Sequence, residues 1–305
     1  GLQRGDRVAI MLRNCPQWVM FDQAAMSLGL IVVPLYTMDR PDNTAFIINN
    51  AGVKALLLET DEQWQSLRTV LDQLGGVVRF VSIDNVLNGG EPRLKSMAEF
   101  LPQDAQLKAA PPCRMNGHDD ETRHARFPLP NPLPQAGEGA NDTLRGICSN
   151  ELASIIYTSG TTGKPKGVML SNANMLTNAH ACLDTFAVHG DDLFLSFLPL
   201  SHTFERTLGY YLTVMTGATV AFARSIPQLS EDLQTIRPTL LISVPRIYER
   251  VYGAIKTKLD EGSPLKRKLF GLAVDTGWAR FEHEQGRAPW KVSFLLWPVL
   301  KKLVA

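Results

Sequence analysis

Apolar and polar positions along the chain follow two patterns. Short continuous apolar runs are typical of buried strands, and longer segments with an apolar residue at every third or fourth position are typical of helices. In the first hundred residues the runs predict strands over 8–12, 31–35, 55–58 and 77–83. Helices are predicted over 42–50, over 61–74, and from Pro16 to Gly29 with Asn14 as the N-cap.

The same alternation continues after residue 150. Strands are predicted over 152–157, 168–170, 193–197, 219–222 and 240–244. Helices are predicted over 172–186, 246–260 and 264–285; Ser171 or Asn172 caps the first, Pro245 precedes the second, and Ser263 with Pro264 begins the third. Continuous apolar strands separated by helices indicate an α/β fold class, with mostly parallel sheets covered by helices.

Composition divides the chain into three parts. Residues 109–146 hold six Pro and four Gly in 38 positions, and their apolar residues follow neither the helical nor the strand spacing. This predicts a disordered insertion or linker. Residues 1–108 then form a first βα portion of an incomplete large domain, and residues 147–305 form a second. The spacing of Cys113, His118, His124 and Cys148 fits no standard zinc pattern, so no metal site is predicted.

Charge and cysteine content exclude several classes of protein. The 305 residues carry 31 Lys and Arg against 30 Asp and Glu, which argues against nucleic acid as a partner. The four cysteines are too few for a disulfide framework and favour a reduced, cytoplasmic setting. The uncharged stretch 207–223 predicts a buried helix that turns at Gly217 into a strand, rather than a membrane span.

Residues 158–167, TSGTTGKPKG, have the composition of a phosphate-binding loop. They follow one apolar run and precede another. Glycines let the backbone N–H groups approach phosphate oxygens, hydroxyls add donors, and lysines add positive charge. We expect phosphate contacts from all ten residues: Thr158, Ser159, Gly160, Thr161, Thr162, Gly163, Lys164, Pro165, Lys166 and Gly167.

Two other interpretations of this segment fit it less well. A Gly- and Thr-rich hairpin tip without function does not explain two lysines directly after a buried strand. The loop of P-loop nucleotide hydrolases fails on spacing, because only two residues separate Gly160 from Gly163 and Pro165 follows Lys164 where Ser or Thr is needed.

The segment 157–176, YTSGTTGKPKGVMLSNANML, resembles the signature loop of the adenylate-forming, AMP-producing synthetases. These include acyl-CoA synthetases, luciferases and peptide-synthetase adenylation domains. Residues 197–206, FLPLSHTFER, and 243–250, SVPRIYER, are most similar to bacterial long-chain fatty acyl-CoA synthetases. Residues 25–36 resemble the early helix–strand element of the family. The resemblance covers the chain apart from 109–146.

The resemblance implies a two-step reaction. A fatty acid carboxylate attacks the α-phosphorus of ATP to give an acyl-adenylate, and the thiol of CoA then displaces AMP. ATP, Mg²⁺ and CoA are the implied cofactor and co-substrates. The equivalent of His202 lies at the entrance of the acyl pocket, and we expect Phe204 and Glu205 beside it, although Glu205 is also a candidate partner of Arg206 or Arg246. We expect Phe204, Tyr210, Tyr211 and Met215 to share a helix that packs into the core more than it lines a tunnel.

The family's later elements do not occur before Ala305. These are the adenine- and magnesium-binding segment, the ribose-binding Asp, the hinge and the adenylation lysine, so no catalytic residue and no metal ligand are assigned here. We expect the 305 residues alone to be inactive. Two other possibilities are an adenylate-forming ligase for a different acid or acceptor, and a non-catalytic remnant.

The apolar run 294–300 before Lys301 and Lys302 leaves two interpretations open: peripheral contact with the inner face of a membrane, or packing against a further segment of chain. Acyl chain length and oligomeric state do not follow from the sequence.

Overall fold

The computed structural model describes residues 1–84, 86, 90–100, 148–158 and 164–304. For residues 303 and 304 it describes the backbone alone. It divides into two compact units, Gly1–Ile242 and Ser243–Ala305. The predicted insertion 109–146 and loop residues 159–163 lie outside the described residues.

The first unit is built on strands separated by helices. Its strands are β1 (Arg7–Met11), β2 (Ile31–Pro34), β3 (Val53–Leu58), β4 (Arg79–Ser82), β5 (Leu94–Ser96), β6 (Leu152–Thr158), β7 (Lys166–Ser171), β8 (Leu193–Ser196) and β9 (Thr219–Phe222). Its helices are α1 (Pro16–Ser27), α2 (Pro41–Ala51), α3 (Asp61–Arg68), α4 (Met97–Phe100), α5 (Asn172–Thr185), α6 (Thr203–Glu205), α7 (Leu212–Thr216) and α8 (Leu229–Ile236).

The main sheet has seven strands in the order β5-β4-β3-β1-β2-β6-β7. Every neighbouring pair is parallel except β6 and β7, which form an antiparallel hairpin. A smaller parallel sheet pairs β8 with β9. The mostly parallel arrangement confirms the predicted fold class.

Both faces of the main sheet are buried at its central strands β1, β2 and β3. On β1, Ala9 and Met11 face a cluster that includes Trp64 of α3, while Val8 and Ile10 face a cluster that includes Trp18 of α1. Alternate residues of one strand therefore enter different cores, which is why the strands are apolar throughout rather than at every second position.

The uncharged stretch after Arg206 forms a bent helical segment. α6 continues as a π-helix over Arg206–Tyr211 and then as α7, and the backbone turns at Gly217 into β9. The predicted turn from helix to strand is confirmed. Tyr210 and Tyr211 are buried as expected, whereas Phe204 and Met215 are exposed, contrary to the expectation of core positions.

Several boundaries differ from the predictions. The strand expected over 240–244 was wrong: Leu240 makes a single bridge to Phe194, and Pro245 then begins a helix whose N-cap is Val244. The helix expected over 61–74 ends at Arg68 and gives way to a 3₁₀ turn, Leu71–Gln73. Two short helices, α4 and α8, and strand β5 were not predicted.

The second unit is helical. It contains α9 (Pro245–Asp260), α10 (Pro264–Glu284), a 3₁₀ turn over Val292–Leu296 and α11 (Trp297–Val304). Ser263 caps α10 as predicted, by accepting a hydrogen bond from the backbone N–H of Lys266. Within the part of the chain that the structure describes, no helix has both the length and the apolar character that a membrane crossing requires.

Candidate functional site

Strands β1 to β4 and β6 all point the same way, so their carboxyl ends lie at one edge of the sheet. Strand β6 joins the sheet through the pairing of Ser154 with Val32 and ends at Thr158. In open α/β sheets this edge is where ligands bind. The segment 158–167 therefore begins where a ligand site is expected.

The candidate loop is the connection of the β6–β7 hairpin. Thr158 pairs with Lys166 at its open end. Of the ten predicted phosphate-binding residues the structure describes five: Thr158, Lys164, Lys166 and Gly167 are exposed, and Pro165 is half-buried. Both lysines lie at the surface, where an anion can reach them.

The base of the hairpin is fixed against α2. The buried hydroxyl of Tyr157 donates a hydrogen bond of 2.6 Å to Oδ1 of Asn50. Burial raises the pKa of Tyr157, so the hydroxyl stays a donor. The backbone at Gly167 packs closely on this side chain. A Cβ at that position would lie 2.8 Å from Cγ2 of Ile155 and 3.0 Å from Cζ of Tyr157. A larger residue would therefore push β7 away from β6.

Lys164 also contacts α2. Its Nζ lies 5.7 Å from the ring centre of Phe46, within the range of a cation–π interaction. An exposed contact of this kind contributes about 0.5–1 kcal/mol, which is small beside the attraction of an ammonium group to a triphosphate. Phe46 thus positions the Lys164 side chain through a weak contact, and the ammonium group can still attract an anion.

Asn14 connects the end of β1 to the loop after β8. Its Nδ2 donates to Oγ of Ser196 at 2.9 Å and to the carbonyl of Leu198 at 2.6 Å, and its Oδ1 accepts from the N–H of Leu200 at 3.0 Å. The sequence-based assignment of Asn14 as a helix cap was wrong, since Cys15 occupies the N-cap of α1. The side chain instead holds the segment that leads to His202.

His202 is the N-cap of α6, and its Nδ1 accepts a hydrogen bond of 3.2 Å from the N–H of Phe204. A neutral ring whose Nδ1 accepts must carry its proton on Nε2. The ring is exposed, so Nε2–H is available to a carboxylate or phosphate oxygen.

The three predicted pocket residues lie on different sides of the backbone. His202 and Phe204 are exposed, whereas Glu205 is 1% exposed and points into the interior. Among the residues that the structure describes, neither carboxylate oxygen of Glu205 has a hydrogen-bond partner. Burial raises the pKa of Glu205 to about 7, and the nearby Ser196 hydroxyl offsets a smaller part of that effect. The carboxyl is therefore largely protonated below neutral pH.

Arg206 does not pair with Glu205. Its guanidinium, 1% exposed, forms an ion pair with the buried Asp22 and donates a hydrogen bond of 2.7 Å to Oγ of Ser154, which donates in turn to the carbonyl of Val32. Tyr210 and Tyr211 donate to Asp22 at 3.1 and 3.4 Å.

The Asp22–Arg206 network fixes the helical segment that follows His202 to β6, four residues before Thr158. Trp18 lies under the guanidinium at 5.2 Å. Because Ser154 belongs to the strand that carries the candidate loop, the network joins the two regions singled out by the sequence. Asp22 was not predicted, although a carboxylate on the same helical face as Trp18 and Ala25 is the signal that could have revealed it.

Metal ligands are not brought together in the described part of the chain, where no three His, Cys, Asp or Glu side chains lie close enough to hold an ion. Of the four residues considered as a zinc set, only Cys148 is described, and it is exposed. Cys113, His118 and His124 lie outside the described residues.

Comparison with known families gives one match to most of the chain. The family model described as AMP-binding enzyme matches residues 1–284.

Curated relatives include the peroxisomal long chain acyl-CoA synthetase 6 of Arabidopsis thaliana, 32% identical over 276 residues, or 90% of this chain and 35% of that protein. Long-chain-fatty-acid–CoA ligase 5 of Mus musculus is 30% identical over 278 residues, or 88% of this chain and 36% of that protein. The chain spans little more than a third of the length of these relatives.

Solved structures share the fold. A putative long-chain-fatty-acid CoA ligase from Rhodopseudomonas palustris aligns with a TM-score of 0.60 and 20% identity, covering 87% of this chain and 55% of that one. The inhibitor-bound N-terminal domain of FACL13 from Mycobacterium tuberculosis aligns with a TM-score of 0.57 and 23% identity, covering 81% and 52%.

Proposed function

This chain belongs to the AMP-binding enzyme family, and from that premise we propose that it forms part of an ATP-dependent long-chain fatty acid–CoA ligase. The reaction would join a fatty acid carboxylate to the α-phosphorus of ATP with loss of pyrophosphate. Attack by the CoA thiol on the acyl carbonyl would then release AMP. The names of the relatives support this substrate class.

One observation carries the proposal: the loop with two exposed lysines sits at the carboxyl end of β6. A fatty acid carboxylate and a triphosphate are both anions, so the reaction needs fixed positive charge and N–H or O–H donors around the phosphates. Lys164 and Lys166 would supply the charge. The hydroxyls and backbone of 158–163 would orient the departing pyrophosphate, which is positioning work that needs no nucleophilic side chain.

The acid would approach from the other side of the same edge. His202 offers an exposed Nε2–H to the carboxylate, and Phe204 offers an exposed aromatic surface to the acyl chain. Glu205 would support this wall of the pocket from within. Its buried, partly protonated carboxyl places no full negative charge near the incoming acid.

Further parts of the proposal rest on the family and the chemistry. CoA acts as co-substrate, and Mg²⁺ would accompany ATP, with no ligand for it assigned to the described residues. We retain 1–108 and 147–305 as two βα portions around the segment 109–146. The four scattered cysteines fit a reducing cytoplasm, and a long-chain acid makes peripheral membrane contact a natural companion of the activity.

Replacing Lys164 tests the assignment of the loop. In the full-length gene product, Lys164→Ala should lower fatty acid-dependent exchange of pyrophosphate into ATP by about 10²–10³-fold, as expected for loss of one donor to a developing charge. Lys95→Ala is a matched control, because Lys95 is also exposed but lies on β5, the outermost strand on the side of the sheet away from β6 and β7.

Unchanged exchange in Lys164→Ala would contradict the loop assignment. Assaying the unmodified product with acids of increasing chain length separates a long-chain ligase from a ligase for another acid. Absence of exchange with every acid would favour the non-catalytic remnant.

A further inference from the structure

Asn14 lies between two rigid elements at the carboxyl end of β1. On one side of it, the N–H of Arg13 donates to Oε2 of Glu59 at 3.1 Å, and the Arg13 guanidinium pairs with Oε1 of the same carboxylate at 2.6 Å. On the other side, the carbonyl of Cys15 accepts a hydrogen bond from the N–H of Trp18 in the first turn of α1. The backbone at Asn14 is therefore held on both sides.

The place of Asn14 in the main sheet is one where ligands bind in folds of this class. From β1 the chain passes through α1 to β2 on one side, whereas from β3 it passes through α3 to β4 on the other side. Because β1 and β3 are neighbours, the direction of the connections changes between their carboxyl ends, and open α/β sheets bind ligands at such points. Asn14 is the third residue after the end of β1.

The side chain of Asn14 holds the backbone that leads to His202. Residues 197–201 join β8 to His202, and we call them the connecting segment. Two hydrogen bonds of the amide go to this segment: Nδ2 donates to the carbonyl of Leu198 at 2.6 Å, and Oδ1 accepts from the N–H of Leu200 at 3.0 Å. A third runs from Nδ2 to Oγ of Ser196, the last residue of β8, at 2.9 Å. One side chain thus joins the ends of strands from two sheets.

His202 follows this anchor after two residues. Leu200 is 1% exposed and lies in the same apolar cluster as Leu12 and Trp18. The N–H of His202 then donates to the carbonyl of Pro199 at 2.9 Å, which closes a turn in front of α6. A displacement of the connecting segment would therefore move the exposed ring of His202 with it.

The three partners of Asn14 require two donors and one acceptor on a short side chain. The Leu198 carbonyl and the Ser196 hydroxyl oxygen each receive an N–H, while the Leu200 N–H needs an oxygen. A carboxamide supplies all three, whereas an ionised carboxylate has no donor and a hydroxyl has one. The amide group is therefore matched to holding this backbone, beyond what filling the space would need.

We propose that Asn14 is a positioning residue for the fatty acid. It holds the connecting segment so that Nε2–H of His202 meets the acid carboxylate, and it touches neither the acid nor ATP. The inference rests on the proposed function, which places the acid beside His202.

Replacing Asn14 should separate the two substrates. In the full-length gene product, Asn14→Ala should raise the KM for the fatty acid in pyrophosphate exchange by about 10–100-fold, as expected for a misplaced substrate contact. The KM for ATP should stay within about twofold, because a change confined to one substrate leaves the binding of the other intact. Asn49→Ala is the matched control, since this exposed amide lies in the last turn of α2, and both KM values should be unchanged.

A double-mutant cycle tests whether Asn14 acts through His202. His202→Ala should itself raise the KM for the acid. If Asn14 works by placing that ring, then Asn14→Ala in the His202→Ala background should raise this KM by no more than about twofold further. A general loosening of the fold would instead add to the effect of His202→Ala and would raise the KM for ATP as well.

Asn14→Asp separates hydrogen bonding from packing. Aspartate has nearly the same shape, but a carboxylate oxygen would replace Nδ2 and face the carbonyl of Leu198. Two acceptors would then be in contact, so this variant should raise the KM for the acid at least as much as Asn14→Ala does. A side chain that acted by filling space would tolerate the change.

Hydrogen exchange in the 305-residue chain gives a measurement without catalysis. The amide of Leu200 donates to Asn14, so in Asn14→Ala it should exchange at least about tenfold faster. Amides of β3 should keep their rates, which would show that the fold is intact.

Three results would overturn the proposal: an unchanged KM for the acid in Asn14→Ala, additive effects in the cycle with His202→Ala, and unchanged protection of the Leu200 amide. Any of these, in a product that exchanges pyrophosphate normally, leaves the proposed function standing. Absence of exchange with every acid in the unmodified product would instead overturn the proposed function, and this role of Asn14 with it.

Discussion

Glu205 makes the stability of the molecule depend on pH. Its pKa rises from an ordinary 4.5 to about 7 in the folded state because the carboxyl is buried. Below pH 4.5 the carboxyl is protonated in both the folded and the unfolded state, so it contributes nothing to the pH dependence of the free energy of unfolding. Between pH 4.5 and about 7 the unfolded state releases the proton while the folded state keeps it, so the free energy of unfolding falls as pH rises. Above about pH 7 the loss is constant.

Glu205→Gln should remove this dependence. The difference in free energy of unfolding between variant and unmodified chain should grow in favour of the variant by about 3 kcal/mol from pH 4.5 to above pH 7. Urea denaturation at several pH values measures it. Other carboxylates titrate in both chains and cancel.

Glu261→Gln is the control, because it removes an exposed carboxyl beside the end of α9 and so lacks the burial on which the expected trend depends. If the difference in free energy of unfolding between Glu205→Gln and the unmodified chain does not change with pH, the buried carboxyl is already ionised or solvated.

Gly209 is the position that makes room for Glu205. A Cβ there would lie 2.6 Å from Cδ of the buried Glu205 and closer still to its Oε1. Gly209→Ala should therefore lower the free energy of unfolding by about 1–3 kcal/mol. Gly253→Ala in α9, where a Cβ meets nothing within 4 Å, should instead raise it by up to about 1 kcal/mol. Equal effects in urea denaturation would contradict the packing argument.

At the scale of elements, local signals predicted much of the fold. Pro264 after Ser263 placed the start of α10, and the apolar runs located β1, β2, β3 and β6 to within a residue or two at most ends. These features depend on backbone chemistry and on burial, which act within a few residues. The prediction of a strand over 240–244 failed because forming a strand requires a long-range partner, and beyond Leu240 the described residues supply none.

Contacts across the chain could not be predicted in this way. The motif FLPLSHTFER drew attention to His202 and Glu205, but the partner of Arg206 is Asp22, 184 residues away. Asn14 similarly holds Leu198 and Leu200 across the fold. A sequence pattern identifies which residues are unusual for their surroundings, and only the folded chain shows which of them meet.

Among the described polar contacts between elements of the first unit, the Asp22–Arg206 ion pair should be the one whose disruption lowers the free energy of unfolding most. Arg206→Met leaves a buried carboxylate unpaired, and we expect a loss of about 3–5 kcal/mol in the free energy of unfolding, with a similar loss for Asp22→Asn. The double variant should lose less than the sum, because each single change already removes the interaction.

Arg4→Met provides the comparison for that pair. Arg4 pairs with Glu151 at the surface, where both side chains are at least one-third exposed, and its removal should cost about 1 kcal/mol or less. Additive losses in the Asp22 and Arg206 double variant would show that the two side chains act independently.

At the scale of the whole molecule, protection from hydrogen exchange should be uneven. The residues of β1 and β3 are buried on both faces of the sheet, whereas α9 has no buried residue. Amides of β1 and β3 should exchange on the order of a hundredfold or more slowly than those of α9, because local opening there requires disruption of the core. Mass spectrometry of peptides from the two regions measures the ratio, and equal rates would show that both open in one cooperative step.

The strand order also sets a sequence of events during synthesis on the ribosome. Strands β1 to β5 lie within the first hundred residues and can pair as soon as they emerge, but β2 waits for β6 to cover its second edge. At about 5–20 residues per second, the 55 residues between Ser96 at the end of β5 and Leu152 at the start of β6 take between about 3 and 11 s. During that interval an apolar edge strand is open to other nascent chains, shielded only where Pro34 lacks an N–H. A period of exposure to aggregation therefore precedes the synthesis of the candidate loop.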